Sequence, residues 1–247
     1  MIEIQRLPFW PAVRLPYRLA RASVQLTVDR ALGVQTTLLR NELDTSLDQP
    51  ADFIHGPVGW TTLWRIFRWL APTEGDVLYD VGSGNGRPLL VAGRFPFRRL
   101  VGIELSKRMH EEAETNLARC RLQGKAPVEL INGDALTQPI PDGTSIVFFA
   151  NPFDGMIFDR FIAHLLADLD QRPRRLRFVY YNPREHAKLE ATGRFRLVHR
   201  FAGLRPTRNW SRMMTTHFYE VLPPPAADRR SPQPASNPCP GPDRGAV

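Results

Sequence analysis

The chain has 247 residues, of which 43% are hydrophobic and 23% are charged, and this is ordinary for a protein that buries a sizeable core. The composition excludes wholesale disorder, collagen and coiled coil. Lys and Arg outnumber Asp and Glu by 33 to 25, an excess that suits acidic partners but indicates no fold. Because Cys120 and Cys239 are too few for a disulfide framework or a cysteine zinc cluster, we expect a reduced, cytoplasmic protein.

The two ends of the chain differ from its middle. No segment approaches the ~20 apolar residues of a membrane helix, and Arg and Pro residues interrupt the first twenty positions, which contain no secretory apolar region. Residues 223–247 hold eight prolines and almost no aliphatic side chains, which predicts a disordered tail or, alternatively, a proline-rich ligand for a partner. We therefore divide the chain into an N-terminal helical cap (1–72), a domain (73–222) and a tail (223–247).

Two helices are predicted in the N-terminal cap. Between residues 17 and 32 the apolar spacing fits either a helix or a strand, and we favour a helix because no turn residue interrupts the run. Such a helix could lie on a membrane surface, although packing on its own domain is the commoner arrangement. The second helix is expected over 61–70, after a loop marked by the glycines and proline of HGPVGW.

From residue 76 onward, strands alternate with helices. Strands are predicted at 77–81, 100–103, 128–131, 146–149, 176–181, 195–201 and 217–222. Helices are predicted at 88–95, 107–122, 156–169 and 184–191. This order is typical of right-handed βαβ units, and the last two strands have no helix between them. We therefore expect an α/β protein with a seven-stranded, mostly parallel, doubly wound sheet.

A glycine-rich loop follows the first of these strands in the segment VLYDVGSGNGRPLL. Asp80 ends the strand, and Gly82, Gly84 and Gly86 supply the positive φ angles and close backbone approach that a ligand-binding turn needs. A dinucleotide fingerprint would place its last glycine at Arg87, and no Lys-Ser or Lys-Thr pair follows to form a triphosphate loop. The spacing therefore disfavours nicotinamide-dependent oxidoreduction.

Polar side chains also end the next three strands. Glu104 can accept hydrogen bonds from both hydroxyls of a ribose, and Asp134 can accept one from an exocyclic amino group of adenine. Asn151 follows the fourth strand. Each carboxylate has a structural alternative, since Glu104 could cap the helix beyond Ser106, and an Asp after a strand is often a helix cap.

One polar side chain at each strand end, in this order, resembles the class I S-adenosylmethionine-dependent methyltransferases, which have a Rossmann-like fold. The resemblance covers about residues 76–153. It implies that Asp80 and the glycine loop hold the methionine part, that Glu104 holds the ribose, and that Asp134 holds the adenine. The cofactor residues expected on this basis are Asp80, Gly82, Ser83, Gly84, Gly86, Glu104, Leu105, Asp134, Ala135 and Asn151.

Asn151, Pro152 and Phe153 lie where the transferred methyl group would face, and we predict them as the catalytic residues. They resemble a shortened Asn-Pro-Pro-aromatic motif of methyltransferases that act on amino groups of adenine, cytosine or glutamine. In that motif two carbonyl oxygens accept hydrogen bonds from the target nitrogen and the ring stacks on it. The second proline is missing here. The same residues could instead form a turn that begins the next helix at Asp154, and some protein-lysine methyltransferases of this fold carry an Asn and an aromatic residue at this place.

The positive charge is concentrated between residues 172 and 212, where twelve Lys or Arg residues stand against two Glu. With Tyr180, Tyr181, Phe201 and Trp210 nearby, this segment could follow a nucleic-acid backbone and stack on bases. Alternatively, it reflects an Arg-rich composition on exposed strand faces. Asn85 and Arg87 are expected to point from the glycine loop into the crevice. The six histidines are scattered without metal-ligand spacing, so no metal is expected.

Together these features predict an enzyme that moves a methyl group from S-adenosylmethionine to a nitrogen of a protein, as in lysine, or of a nucleic acid. The alternative is a non-catalytic module that binds S-adenosylmethionine or nucleic acid and uses segment 172–212.

Overall fold

The computed structural model describes residues 10–37, 58–121, 124–202 and 215–224. In chain order, the elements of these ranges are α1 (Trp10–Leu32), α2 (Trp60–Leu70), β1 (Val77–Val81), α3 (Arg87–Ala92), β2 (Arg99–Glu104), α4 (Lys107–Arg119), β3 (Val128–Asn132), β4 (Thr144–Phe149), α5 (Gly155–Gln171), β5 (Leu176–Tyr181), α6 (His186–Ala191), β6 (Phe195–Phe201) and β7 (Thr216–Val221).

All seven strands form one sheet in the order β3-β2-β1-β4-β5-β7-β6. The pairs among β3, β2, β1, β4 and β5 are parallel, whereas β7 runs antiparallel to both β5 and β6. The antiparallel neighbours β6 and β7 are the two strands between which no helix was predicted. The α/β fold class and the seven-stranded, mostly parallel sheet are therefore confirmed.

Helices cover both faces of the sheet and bury two separate cores. The face covered by α1 to α4, here called the N-terminal face, packs apolar side chains of α2 and α3 such as Phe67 and Leu89 against the strands. The face covered by α5 and α6, here called the aromatic face, is filled by rings that include Phe149, Phe158 and Phe178. Because β1 is buried along its whole length between the two layers, its sequence reads as a continuous apolar run broken only by Asp80.

The element boundaries differ from the predictions by a few residues. The run at 17–32 is helical, and its helix starts earlier, at Trp10, with Pro16 inside it. The helix predicted at 88–95 ends at Ala92, where Gly93 caps it, and the one predicted at 107–122 ends at Arg119 because Cys120 adopts an extended conformation. The helix predicted to begin at residue 184 begins at His186.

Some predictions concern segments outside the described residues. The tail predicted at 223–247 lies almost wholly there, as do Trp210 and Cys239. The division of the chain at residues 72 and 222 also stays a prediction. Among the described helices, none combines the length and the apolar character needed to cross a bilayer.

Candidate active site

A cavity of about 550 Å³ opens beyond the carboxyl ends of β1, β2, β3 and β4. This is the edge of an open α/β sheet at which ligands bind. All but one of the predicted site residues line it: Asp80, Gly82, Ser83, Gly84, Glu104, Leu105, Asp134, Ala135, Asn151, Pro152 and Phe153. The fold thus brings together residues that are as many as 73 positions apart in the chain.

The glycine loop forms one wall of the cavity. The backbone N–H groups of Gly82 and Ser83 both donate to the carbonyl oxygen of Ile103 at 2.9 Å, which ties the loop to β2. Gly82 has a φ of 71°. A Cβ atom at Gly82 would stand 2.3 Å from the Cβ of Pro152, so only glycine allows the loop to meet the Asn151-Pro152 turn.

Gly86 is the one predicted cofactor residue that does not line the cavity. It caps the N-terminus of α3 with a φ of 85° and packs against Ala113 of α4. Its N–H donates to the carbonyl oxygen of Ser83 at 2.9 Å and closes the turn. The positive φ angle that the spacing predicted is present, but its direct role is in the turn and in helix packing rather than in the cavity wall.

Asp80 places a buried carboxylate at the base of the cavity. Its Oδ2 atom has no hydrogen-bond partner among the described residues. Burial, and to a lesser extent the nearby carboxylate of Glu104, raise the pKa of Asp80 well above its ordinary value. A buried carboxylate beside a cavity is suited to a cationic ligand, because the positive charge would offset both the burial of the carboxylate and its repulsion by Glu104.

Glu104 and Asp134 are held by backbone N–H groups. Glu104 Oε2 accepts from Gly84 N at 2.9 Å and its Oε1 accepts from Ser106 N at 2.8 Å. Asp134 Oδ1 accepts from Leu136 N at 2.9 Å, which is a local turn bond. Neither residue is a helix cap, since the cap of α4 is Ser106, which accepts from Met109 N, and Asp134 is followed by a turn and not by a helix. A carboxylate oxygen can accept more than one hydrogen bond, so these contacts leave both residues able to bind a ligand.

Asn151 is held in place by its amide nitrogen. Nδ2 donates to the carbonyl oxygens of Asn182 at 2.6 Å and Tyr181 at 3.4 Å. Oδ1 is buried and without a partner among the described residues. The backbone φ of 54° is a left-handed conformation that Asn tolerates better than most residues. The turn predicted as the alternative is thus present, and its side chain also carries an unused acceptor at the cavity.

Phe153 extends the cavity wall from the aromatic face. Its ring packs edge-on against Phe149 at 5.2 Å and Phe161 at 5.6 Å between ring centroids. These contacts hold the ring beside Asn151 and leave part of it at the cavity surface. The wall is therefore preorganised by the core that lies behind it.

The expectation for Arg87 was wrong. Its side chain is fully buried and turns away from the crevice toward Thr36 and Thr37, to which its guanidinium donates at 2.8 and 2.7 Å. Asn85 does line the cavity, but its side-chain amide donates to the carbonyl oxygen of Thr36. The N-terminal residues that cover Arg87 are about fifty positions away, and no local pattern reveals them.

Sequence reasoning also missed much of the apolar lining. Val58, Met109, Leu136 and Ile157 complete the walls of the cavity. Leu136 could have been inferred from its place two residues after Asp134. Val58 lies in the loop before α2 and carried no signal, because only the packing of the N-terminal cap brings it to the cavity.

The described part of the basic segment, residues 172–202, does not form a stripe of unpaired cations. Eight of the nine Lys and Arg side chains in that part lie within 4 Å of a carboxylate, such as Arg174 with Asp168 and Arg194 with Asp170. Tyr180 and Tyr181 are buried in the two cores rather than available for stacking. These contacts favour the composition-based interpretation. Elsewhere in the described ranges, no group of three or more His, Cys, Asp or Glu is placed to hold a metal ion.

Comparison with known proteins agrees with this architecture. Residues 79–171 match a family described as a methyltransferase domain. A protein-lysine N-methyltransferase of Saccharolobus islandicus is 27% identical over 86 residues, which is 34% of this chain. This chain matches about half of that relative, 52% of its length.

Two solved structures are among those similar to this chain. A Thermoplasma acidophilum protein is 12% identical with a TM-score of 0.50, and the match covers 82% of this chain and 97% of that one. An RNA methyltransferase of Salinibacter ruber in complex with S-adenosylhomocysteine is 20% identical with a TM-score of 0.47, and the match covers 70% and 97% of the two chains.

Residues 79–171 match a methyltransferase domain, and this region contains the glycine loop, Glu104, Asp134 and Asn151. This match supports the predicted class, a class I S-adenosylmethionine-dependent methyltransferase, and the Rossmann-like fold of that class is confirmed by the sheet order. It likewise supports S-adenosylmethionine as the predicted cofactor.

Proposed function

We propose that this protein transfers a methyl group from S-adenosylmethionine to an amine nitrogen of a protein, with a lysine side chain as the acceptor class and the cytoplasm as the place of action. The observation that carries the proposal is that Asn151 and Asp80 both line the cavity, while Asn151 Oδ1 and Asp80 Oδ2 are buried without a hydrogen-bond partner among the described residues. Asn151 Oδ1 is suited to accept an N–H of the methyl acceptor, and Asp80 Oδ2 is suited to the cationic cofactor.

The carboxylates at the strand ends fit the polar parts of the cofactor. Asp80 would receive the ammonium of the methionine part, which compensates its buried charge. Glu104 would accept the ribose hydroxyls, and Asp134 with the backbone of Ala135 would meet the adenine. Gly82 to Gly84 would let the backbone approach these groups closely. When bound, S-adenosylmethionine supplies an electrophilic methyl group on a sulfonium, which is already a good leaving group.

Asn151 and Phe153 would orient the acceptor. Oδ1 of Asn151 would accept an N–H of the amine and direct the nitrogen lone pair toward the methyl group. Since Nδ2 is held by Asn182 and Tyr181, the oxygen is fixed in place before the acceptor arrives. Phe153 would exclude water and pack beside the nitrogen. These two residues are therefore proposed as catalytic, with Pro152 shaping the turn against Gly82.

The lining of the cavity supports a protein amine over a nucleic acid. Among the described lining residues the charged side chains are Asp80, Glu104 and Asp134, which the cofactor would occupy, and none is a cation placed to bind a phosphate. The rim is apolar, since Leu105 is 73% exposed and Ile157 is 48% exposed. Apolar rim residues suit contact with a protein surface. Because eight of the nine described Lys and Arg side chains of the basic segment pair with carboxylates, this segment does not favour a nucleic-acid phosphate as a ligand.

Two measurements test the proposal. Calorimetry with S-adenosylhomocysteine should show one site per chain, and absence of binding would overturn the cofactor assignment. Glu104→Ala should weaken this binding by about 2–3 kcal/mol, because hydrogen bonds to a charged acceptor are lost. Glu220→Ala, a carboxylate far from the cavity on β7, is the matched control and should bind as the wild type does.

The acceptor class is tested by transfer of a radiolabelled methyl group into a cell extract. We expect label that protease releases and nuclease does not, with methyllysine after acid hydrolysis. Label released by nuclease would instead assign the acceptor to nucleic acid. No incorporation, despite normal S-adenosylhomocysteine binding, would favour the non-catalytic binding module.

A further inference from the structure

A buried polar network joins the N-terminal cap to the residues that follow the glycine loop. Arg87, the first residue of α3, is fully buried, with its guanidinium 5.2 Å from the ring centroid of Trp60. It donates to the hydroxyls of Thr36 and Thr37 and lies 3.6 Å from Asp29 Oδ1. A buried guanidinium with this many oriented partners has a single low-energy position.

Asp29 of α1 is the centre of this network. Its carboxylate accepts from the backbone N–H groups of Thr36 and Thr37 at 2.7 Å each. It also accepts from the hydroxyl of Thr36 at 2.8 Å and from the indole N–H of Trp60 at 2.9 Å. The chain from α1 to Thr37 is thus folded back around one carboxylate, and this carboxylate in turn neutralises Arg87.

A second link holds the glycine loop itself. Asn116 of α4 accepts from Gln35 N at 2.8 Å and donates to the carbonyl oxygen of Asn85 at 3.0 Å. The side-chain amide of Asn85 donates to the carbonyl oxygen of Thr36 at 3.0 Å. Both the main chain and the side chain of Asn85 are therefore fixed by residues that do not line the cavity.

These links matter because the loop cannot hold its own shape. Gly82, Gly84 and Gly86 lose more conformational freedom on ordering than any other residue type would. The first half of the loop is tied to β2 through Ile103, whereas its second half is bracketed by Asn85 and Arg87. The contacts that hold these two residues come largely from the N-terminal cap.

We propose that residues 25–37, which begin with Gln25, an acceptor for Arg87 at 3.3 Å, support the cofactor site from outside the cavity. Thr36 and Asn116 act as positioning residues that hold the glycine loop in its binding conformation. The inference rests on the proposed function, in which this loop binds S-adenosylmethionine. Linkage makes the effect reciprocal: cofactor binding stabilises the docking of residues 25–37 to the same extent that their docking strengthens cofactor binding.

The test compares two positioning variants with a matched control in the full-length chain. Thr36→Val removes a buried hydroxyl of the network without changing side-chain size. Asn116→Ala removes the side-chain amide that donates to the carbonyl oxygen of Asn85. Thr144→Val removes an equally buried hydroxyl at the amino end of β4, where it donates to the carbonyl oxygen of Pro141 at 2.6 Å. Calorimetry with S-adenosylhomocysteine and thermal unfolding of the free protein are measured for all three.

We expect Thr36→Val and Asn116→Ala to weaken S-adenosylhomocysteine binding about tenfold, the scale of one or two lost hydrogen bonds. Thr144→Val should lower the unfolding temperature about as much as Thr36→Val does, but it should leave the affinity for S-adenosylhomocysteine unchanged. Hydrogen exchange at the amides of Thr36 and Thr37 should slow when the ligand is added to the wild type. If the wild type binds the ligand but all three variants bind equally well, the inference fails while the proposed function stands. If the wild type does not bind, the proposed function itself fails.

Discussion

The two faces of the sheet stabilise the same cavity edge by different means. On the N-terminal face, the segment next to the glycine loop is held by directed contacts around Asp29 and Arg87. On the aromatic face, the turn that carries Asn151 and Phe153 rests on rings such as Phe149 and Phe178, whose contacts with other rings are uncharged. Hydrogen bonds specify one backbone geometry, whereas ring packing specifies volume. We therefore expect cofactor affinity to depend more on the first face than on the second.

The largest effect is expected from removing the charge that balances Arg87. Asp29→Ala should lower the free energy of unfolding by about 3–5 kcal/mol, because the buried guanidinium of Arg87 loses a carboxylate 3.6 Å away and the backbone N–H groups of Thr36 and Thr37 lose their acceptor. The exposed carboxylate of Asp142, which pairs with Arg172, supplies the control, and Asp142→Ala should cost less than about 1 kcal/mol. Denaturant unfolding measures both. Equal costs for the two variants would mean that the directed contacts of the N-terminal face contribute no more than surface pairs.

The next effect concerns the amide oxygen that the aromatic face supports. Asn151→Ala should lower turnover by about 10²–10³, as found when one oriented polar contact to the reacting group is lost, while S-adenosylhomocysteine binding stays normal. Because Asn151 has a positive φ, Ala adds backbone strain there, and Asn151→Gly separates strain from the loss of the side chain. Single-turnover kinetics should show the same loss for both variants. Recovery of turnover in the glycine variant would assign Asn151 to the turn alone.

The comparison also shows what could be predicted from the sequence. The strand at 77–81 was located with both bounds, because a continuous apolar run before a glycine turn is a local signal. The strand-end residues Glu104, Asp134 and Asn151 converge on one cavity, since parallel strands bring their carboxyl ends to one edge. On the N-terminal face prediction failed for Arg87, because its partners lie about fifty positions earlier in the chain. Asn116 lies within the helix predicted at 107–122, and nothing in the sequence indicates that its amide joins Gln35 to Asn85.

A moderate effect is expected for the pH dependence of cofactor binding. Burial and Glu104 raise the pKa of Asp80 in the free protein, and the ammonium of the cofactor should lower it in the complex. Binding then favours the ionised form, so affinity should fall as the pH decreases below the raised pKa of the free protein. The loss should approach about tenfold per pH unit until the pKa of the complex is reached. Asp80→Asn should bind more weakly at neutral pH and show no such slope, whereas an unchanged slope in this variant would assign the proton to another group.

The smallest effect is expected from a change of shape within the aromatic face. Phe178 is fully buried on β5 and contacts the rings of Phe149, Tyr180, Phe195 and Tyr219. Phe178→Leu keeps the position apolar and should cost about 1 kcal/mol of unfolding free energy, because the neighbouring rings can close around the smaller side chain. Calorimetry should give the wild-type affinity for S-adenosylhomocysteine, in contrast to the loss expected for Thr36→Val. A matching loss of affinity in Phe178→Leu would show that ring packing also sets the geometry of the cofactor site, and the two faces would then not differ in function.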